Sequence, residues 1–278
     1  MRLAVSLLLL AAPVFGQGFA WQDIGEGRME LREGGKVALV YNYGPQLKAG
    51  APEEKRRCCY IFPVYTPGGV SMLDDFPQDH WHHRGLFWSW PVVETEGKKY
   101  DIWMMFTAKH RAVGVPAVSG GTLRASNIWE AGGKNIVKED LRLAVLPAAG
   151  NTREMDVELK WEALGAPVTL RGSAEAGKSY GGLSTRFAAR EGTVLRADGA
   201  TIAKDEDLVP HKWAELEGVF GGKRVALRIT AETAMQWCLR NYGFVGASFP
   251  GRTATVDGYT LERGKPLTLK FRVAVKDL

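Results

Sequence analysis

The feature that most constrains this chain is a two-residue hydrophobic rhythm broken by glycine turns. Met155, Val157, Leu159 and Trp161 alternate with Asp156, Glu158 and Lys160, so as a strand this segment has one apolar face and one wet face. The same rhythm runs through Leu141-Leu143-Val145, Val225-Leu227-Ile229 and Leu267-Leu269-Phe271-Val273-Val275. Turn signals stand between such segments: Glu33-Gly34-Gly35, Ala131-Gly132-Gly133, Gly221-Gly222 and Asp257-Gly258, spaced as antiparallel hairpins require. Glycine supplies 33 of 278 residues, against a usual share of about 7%. After the N-terminal segment no stretch keeps a helical period for three turns. The pattern predicts an all-β fold, a large antiparallel β-sandwich over residues 17–278, in one domain. No linker, charge block or fixed-period repeat divides it.

Composition excludes two classes. Hydrophobic residues make up 45% of the chain and nine are tryptophan, which is incompatible with disorder. The formal net charge of +5 comes from 36 basic and 31 acidic residues spread along the whole length, so no nucleic-acid footprint is expected.

The N-terminus reads as a signal peptide over residues 1–16. Arg2 provides a positive start, Leu3 to Phe15 an apolar run, and Val14-Phe15-Gly16 a cleavage site before Gln17. The run is shorter than the ~20 residues of a spanning helix, and no cysteine follows where a lipoprotein signal places one. The expected product is exported, periplasmic or secreted, without a membrane span. Three cysteines, Cys58, Cys59 and Cys238, cannot all pair within one chain. A bridge from Cys58 or Cys59 to Cys238 and three buried thiols are both open readings.

Chemistry concentrates in Phe76-Pro77-Gln78-Asp79-His80-Trp81-His82-His83-Arg84-Gly85-Leu86-Phe87-Trp88, which holds three of the five histidines. If this segment is extended, His80 and His82 share one face while Asp79, Trp81 and His83 share the other. Such a cluster suits acid/base work, with a carboxylate such as Asp79 tuning an imidazole. It also suits a divalent metal, completed through the fold by His110, His211, Asp101 or Glu215. A third reading is structural: histidines satisfying backbone groups around a buried arginine.

A second constellation, Trp237-Cys238-Leu239-Arg240-Asn241-Tyr242-Gly243-Phe244, combines a planar cation, an amide, a phenol and an indole. Arg and Asn can pair with vicinal hydroxyls while aromatic faces pack on a sugar ring. Trp81, Trp88, Tyr180, Arg186 and His211 are further candidates for binding a small-molecule or oligosaccharide ligand. No nucleophile elbow, P-loop, dinucleotide fingerprint or CxxC pair occurs, so a redox or nucleotide cofactor would have to bind without its usual signature.

These residues carry a resemblance. Tyr60 through Trp90, with Pro63, Thr66-Pro67-Gly68-Gly69-Val70 and Asp79-His80-Trp81-His82-His83-Arg84-Gly85-Leu86, resembles the signature of the bacterial PmoA family. The likeness continues through Tyr180-Gly181-Gly182-Leu183 and Arg186, then Trp237, Arg240, Tyr242 and Gly243. It implies a galactose-mutarotase-like β-sandwich and a setting in carbohydrate metabolism. It does not imply a methane monooxygenase subunit, which is an integral membrane protein. By position it puts Asp79, His80, His82, His83 and Arg84, with Arg240 and Tyr242, on the concave face. Cys238 stands where relatives have histidine, and Thr230 to Gln236 is shorter than their segment and lacks their histidine. The expectation is acid/base chemistry on a sugar or modified glycoside, as an epimerase, mutarotase or lyase: His82 or His80 as base or acid, Asp79 orienting it, and Arg84 stabilising charge. The alternatives are a non-catalytic glycan-binding module and a metal protein built on the histidines.

Overall fold

The computed structural model describes residues 18–173, 178, 180–251 and 258–278. The expected signal peptide and Asp257 lie outside these residues. Within them the alternating segments all become strands, including Lys134–Val145, Thr152–Ala163, Lys223–Arg240 and Leu267–Asp277. A short 3-10 turn forms over Glu53–Lys55, and no α-helix occurs among the described residues. Seventeen strands join one large curled sheet and four form a small one, and every ladder between them is antiparallel. Gly34-Gly35, Gly132-Gly133 and Gly221-Gly222 close hairpins with positive φ at both positions. That conformation matches the strand twist and is open to glycine at little cost.

The core lies between opposed layers. One layer contributes Leu141, Val157, Leu269 and Val273; the other contributes Leu86, Trp88, Leu183, Trp237 and Ala247. Tryptophans bridge them, with Trp90 packing against Trp129 at 5.5 Å and Trp161 at 5.1 Å between ring centroids. Trp161 thus occupies the core face its alternation implies.

Buried among these rings is Glu139, paired across the ladders with Asn127 on one side and Trp161 on the other. Its carboxylate accepts hydrogen bonds from Asn127 Nδ2, Trp129 Nε1 and Trp161 Nε1, each at 2.8 Å. Burial raises its pKa against the pull of these donors. A buried acid of this kind is retained because its neighbours satisfy it.

Candidate functional site: a histidine-lined pocket

Strand parity decides which residues reach the site. On Leu86–Ser89, Leu86 and Trp88 enter the main core, whereas Phe87 points to the opposite face. The ladders carry this division across four strands: Trp88, Leu183, Ala247 and Trp237 align on the core side, and Phe87, Ser184, Gly246 and Cys238 align on the other. Phe87, Trp103, Cys238, Phe244 and Tyr60 form a second apolar cluster there. Gly246 keeps this floor low, because a Cβ would sit 2.9 Å from the Phe244 ring.

Over the floor lies the loop from Phe76 to Gly85. Asp79–His83 is not extended as the alternation reading required. The His80 amide donates to the Pro77 carbonyl at 3.0 Å and the His83 amide donates to the His80 carbonyl at 2.8 Å. These consecutive turns bring all three imidazoles together. His80 stacks on His83 at 4.6 Å and 8°, and His82 meets His83 edge-on at 4.4 Å. Tyr242 stacks on the other side of His80 at 5.5 Å and 6°, and the Arg186 guanidinium lies 4.7 Å over the Tyr242 ring. Arg186, Tyr242, His80 and His83 therefore form one column.

Asp79 ties that column together. Its carboxylate accepts two hydrogen bonds from Arg186 Nη2, at 2.9 and 2.7 Å, and lies 3.0 Å from His80 Nδ1. Partial burial pushes the carboxyl upward, but Arg186 and His80 together outweigh it and hold Asp79 below its usual range. Burial pushes His82 down to about 3 and His83 well below its ordinary value, with neighbouring imidazoles and cations adding to the effect. Both are uncharged imidazoles at neutral pH. Burial likewise pushes Tyr242 and Cys238 up to about 12 each, so phenol and thiol keep their protons.

The three histidines, Tyr180, Arg240 and Tyr242 share the wall of a cavity of about 360 Å³, and Trp103, Met104 and Lys178 complete it. Arg240 is held by the Glu206 carbonyl at 2.8 Å and by Asp207. Other expected residues lie elsewhere. Arg84 is fully buried behind the loop, donating to the carbonyls of Trp81, His83 and Lys55, with its plane 3.4 Å above the Phe76 ring. It holds the loop's shape and does not reach the cavity to stabilise charge there, as the structural reading of a buried arginine anticipates. Trp81 stays on the loop outside the cavity wall. Trp88 and Trp237 are core residues, and the Trp237 indole donates to the His211 carbonyl at 2.7 Å. His211 is engaged by Asp198 and Glu206 at 3.2 and 2.8 Å, away from the cavity. Arg186 positions Asp79.

The residues proposed to complete a metal site are dispersed. His110 is buried 3.7 Å from Glu139, Glu215 pairs with Arg228, and Asp101 accepts from the Met104 amide. Among the described residues no group of three or more His, Cys, Asp or Glu is placed to hold a metal ion. The three cysteines are free and buried. Trp103 and Met104 were not legible as site residues, because a loop brings them to the pocket by tertiary packing and no spacing marks them.

Fold and site together define an antiparallel β-sandwich protein whose pocket is walled by neutral imidazoles and aromatic rings. No helix among the described residues is long and apolar enough to cross a membrane. The chain belongs to a family of unknown function, DUF6807, whose model matches residues 28–278. No curated protein matches it.

Proposed function

We propose that this chain is an exported carbohydrate-active protein that moves protons on a sugar or modified glycoside, with His80 as the base. The carrying observation is the Arg186–Asp79–His80 relay at the cavity wall: a carboxylate held by a guanidinium, lying 3.0 Å from Nδ1 of an imidazole that lines the cavity. The Asp79–Nδ1 contact is close but not aligned as a hydrogen bond; once aligned in a substrate complex, such a carboxylate fixes the tautomer and leaves the other nitrogen to accept a proton. Geometry favours His80 over His82 for this role. A base with a pKa of about 3, as at His82, is poorly matched to neutral pH. His82 and His83 serve as neutral hydrogen-bonding and packing surface.

The His80 imidazolium returns the proton as acid, the protonated Tyr242 phenol stacked on it supplies a hydroxyl to position substrate, and Arg240 supplies positive charge for a developing oxyanion. Epimerisation, mutarotation and lyase-type elimination all need this set of base, acid and stabiliser. The resemblance to the PmoA family and its galactose-mutarotase-like relatives supports a sugar as substrate and export as the setting. Tyr180 at the wall, packed 4.8 Å from the buried Trp103 ring, offers a face for a sugar ring and also fits the alternative, a glycan-binding module without turnover.

Solvent deuterium incorporation and anomer interconversion in a panel of reducing sugars, uronic acids and glycosides, both followed by NMR, separate these readings. The native protein is expected to exchange a carbon-bound proton or to speed anomer interconversion, and His80→Ala to slow this by about 10²–10⁴-fold while retaining binding. Binding with neither activity in both proteins would assign the binding module instead.

A further inference from the structure

Cys58 and Cys59 are neighbours in sequence, and on a regular strand their side chains would point to opposite faces. They do not. Cys59 has φ +66°, in the left-handed region that side chains other than glycine seldom adopt. This reversal swings both sulfurs to the same side, where Cys58 Sγ and Cys59 Sγ lie 3.0 Å apart, well inside the contact distance of two non-bonded sulfur atoms. The backbone is fastened in this shape, since the Cys59 amide donates to the Asn42 carbonyl at 2.7 Å. The Cys58 side chain is also oriented by the His110 carbonyl at 3.2 Å. Both residues are buried.

We propose that Cys58 and Cys59 are a redox-modification site that closes into a vicinal disulfide. Each thiol gives up one proton and one electron, and the two sulfurs join. A disulfide oxidant of the glutathione class takes up both electrons and both protons, and its own S–S bond opens into two thiols. Adjacent Cα atoms are about 3.8 Å apart, below the roughly 4.4–6.8 Å usual for a disulfide. The bond is therefore strained and reducible, which suits a switch better than a permanent staple. Burial raises the Cys59 thiol pKa, so exchange is slow in the folded chain and fastest while the segment is exposed during folding.

The pair lies between two supports of the pocket. Arg57 sits 5.0 Å over the Phe87 ring of the pocket floor. Tyr60 donates to Asp75 at 2.9 Å and lies beneath the Arg84 guanidinium that holds the histidine loop. The ring's redox state thus acts where the floor and the loop are anchored. This inference does not depend on the proposed chemistry of the pocket.

The test is a thiol count on the full chain refolded in glutathione buffers from fully reduced to fully oxidised, acid-quenched, then alkylated under denaturing conditions and mapped by peptide mass. In the oxidised buffers one cysteine, Cys238, is expected to be alkylated, and the peptide holding Cys58 and Cys59 to be two hydrogen masses lighter than its dithiol form. In reduced buffer all three are expected to react. Alkylation of all three at every buffer composition, or a bond from either residue to Cys238, would overturn the proposal.

Discussion

At Asp79 a single carboxylate serves two partners, and this makes it the residue whose charge matters most. Asp79→Asn keeps the shape but removes the charge that orients His80, so exchange activity is expected to fall by about 10²–10⁴-fold with little loss of binding. Activity and affinity measured on the same substrate check this. Arg186→Ala removes the charge-assisted bonds to Asp79 and the guanidinium over Tyr242, and chemical denaturation is expected to show a loss of about 2–3 kcal/mol. That Asp79 lies against His80 was legible from its place beside the histidines; its partner Arg186, 107 residues away, was not. Arg84 was misread as a charge stabiliser because its hydrogen bonds go to backbone carbonyls, one of them at Lys55, and its ion-pair partner is Asp75 at 3.6 Å behind the loop; carbonyls leave no mark in a sequence.

Parity is the lesson at the scale of the element. The strands were legible because one face of each is buried, and burial writes itself as alternation. The same alternation, applied to Leu86–Ser89 and Trp237–Arg240, puts Trp88 with Leu86 and Trp237 with Leu239, inside the core; proximity to the histidine and arginine motifs suggested otherwise. Trp88→Ala is expected to cost about 3–5 kcal/mol in an unfolding titration. Glu139→Ala strands three donors on neighbouring strands and is expected to cost a similar amount, about 3–5 kcal/mol, although this residue does not line the histidine cavity. The histidine loop resisted reading for a different reason. Its turns are closed from outside by Arg84, so local pattern alone could not distinguish them from an extended run.

Across the whole molecule, His83 and His110 are buried and His82 is half-buried beside them, all three held in the neutral form. Burial lowers His82 to about 3, and holds His83 and His110 well below their ordinary value. In the unfolded chain each would take a proton near pH 6.5, so below that pH the unfolded state binds more protons than the folded one. Stability is therefore expected to fall as pH drops below about 6.5, by about 1.4 kcal/mol per pH unit for each such histidine, with His82 contributing down to about pH 3. Asp79 adds a smaller loss at lower pH, as protonation removes its pairing with Arg186. Thermal midpoints measured from pH 8 to pH 4 check the sign and the onset. A midpoint unchanged down to pH 5 would mean that these imidazoles are hydrated or charged in the fold.

The cavity under the histidine loop is where the proposed chemistry stands or falls, and a crystal structure with a bound sugar tests it most directly. The expected result is a ring held against Tyr180, with a hydroxyl or carbonyl oxygen within hydrogen-bond distance of His80 Nε2 and another near Arg240. A sugar seated instead in the separate cavity of about 390 Å³ lined by Val40, Tyr60 and Asp75, with the histidine pocket empty, would contradict it.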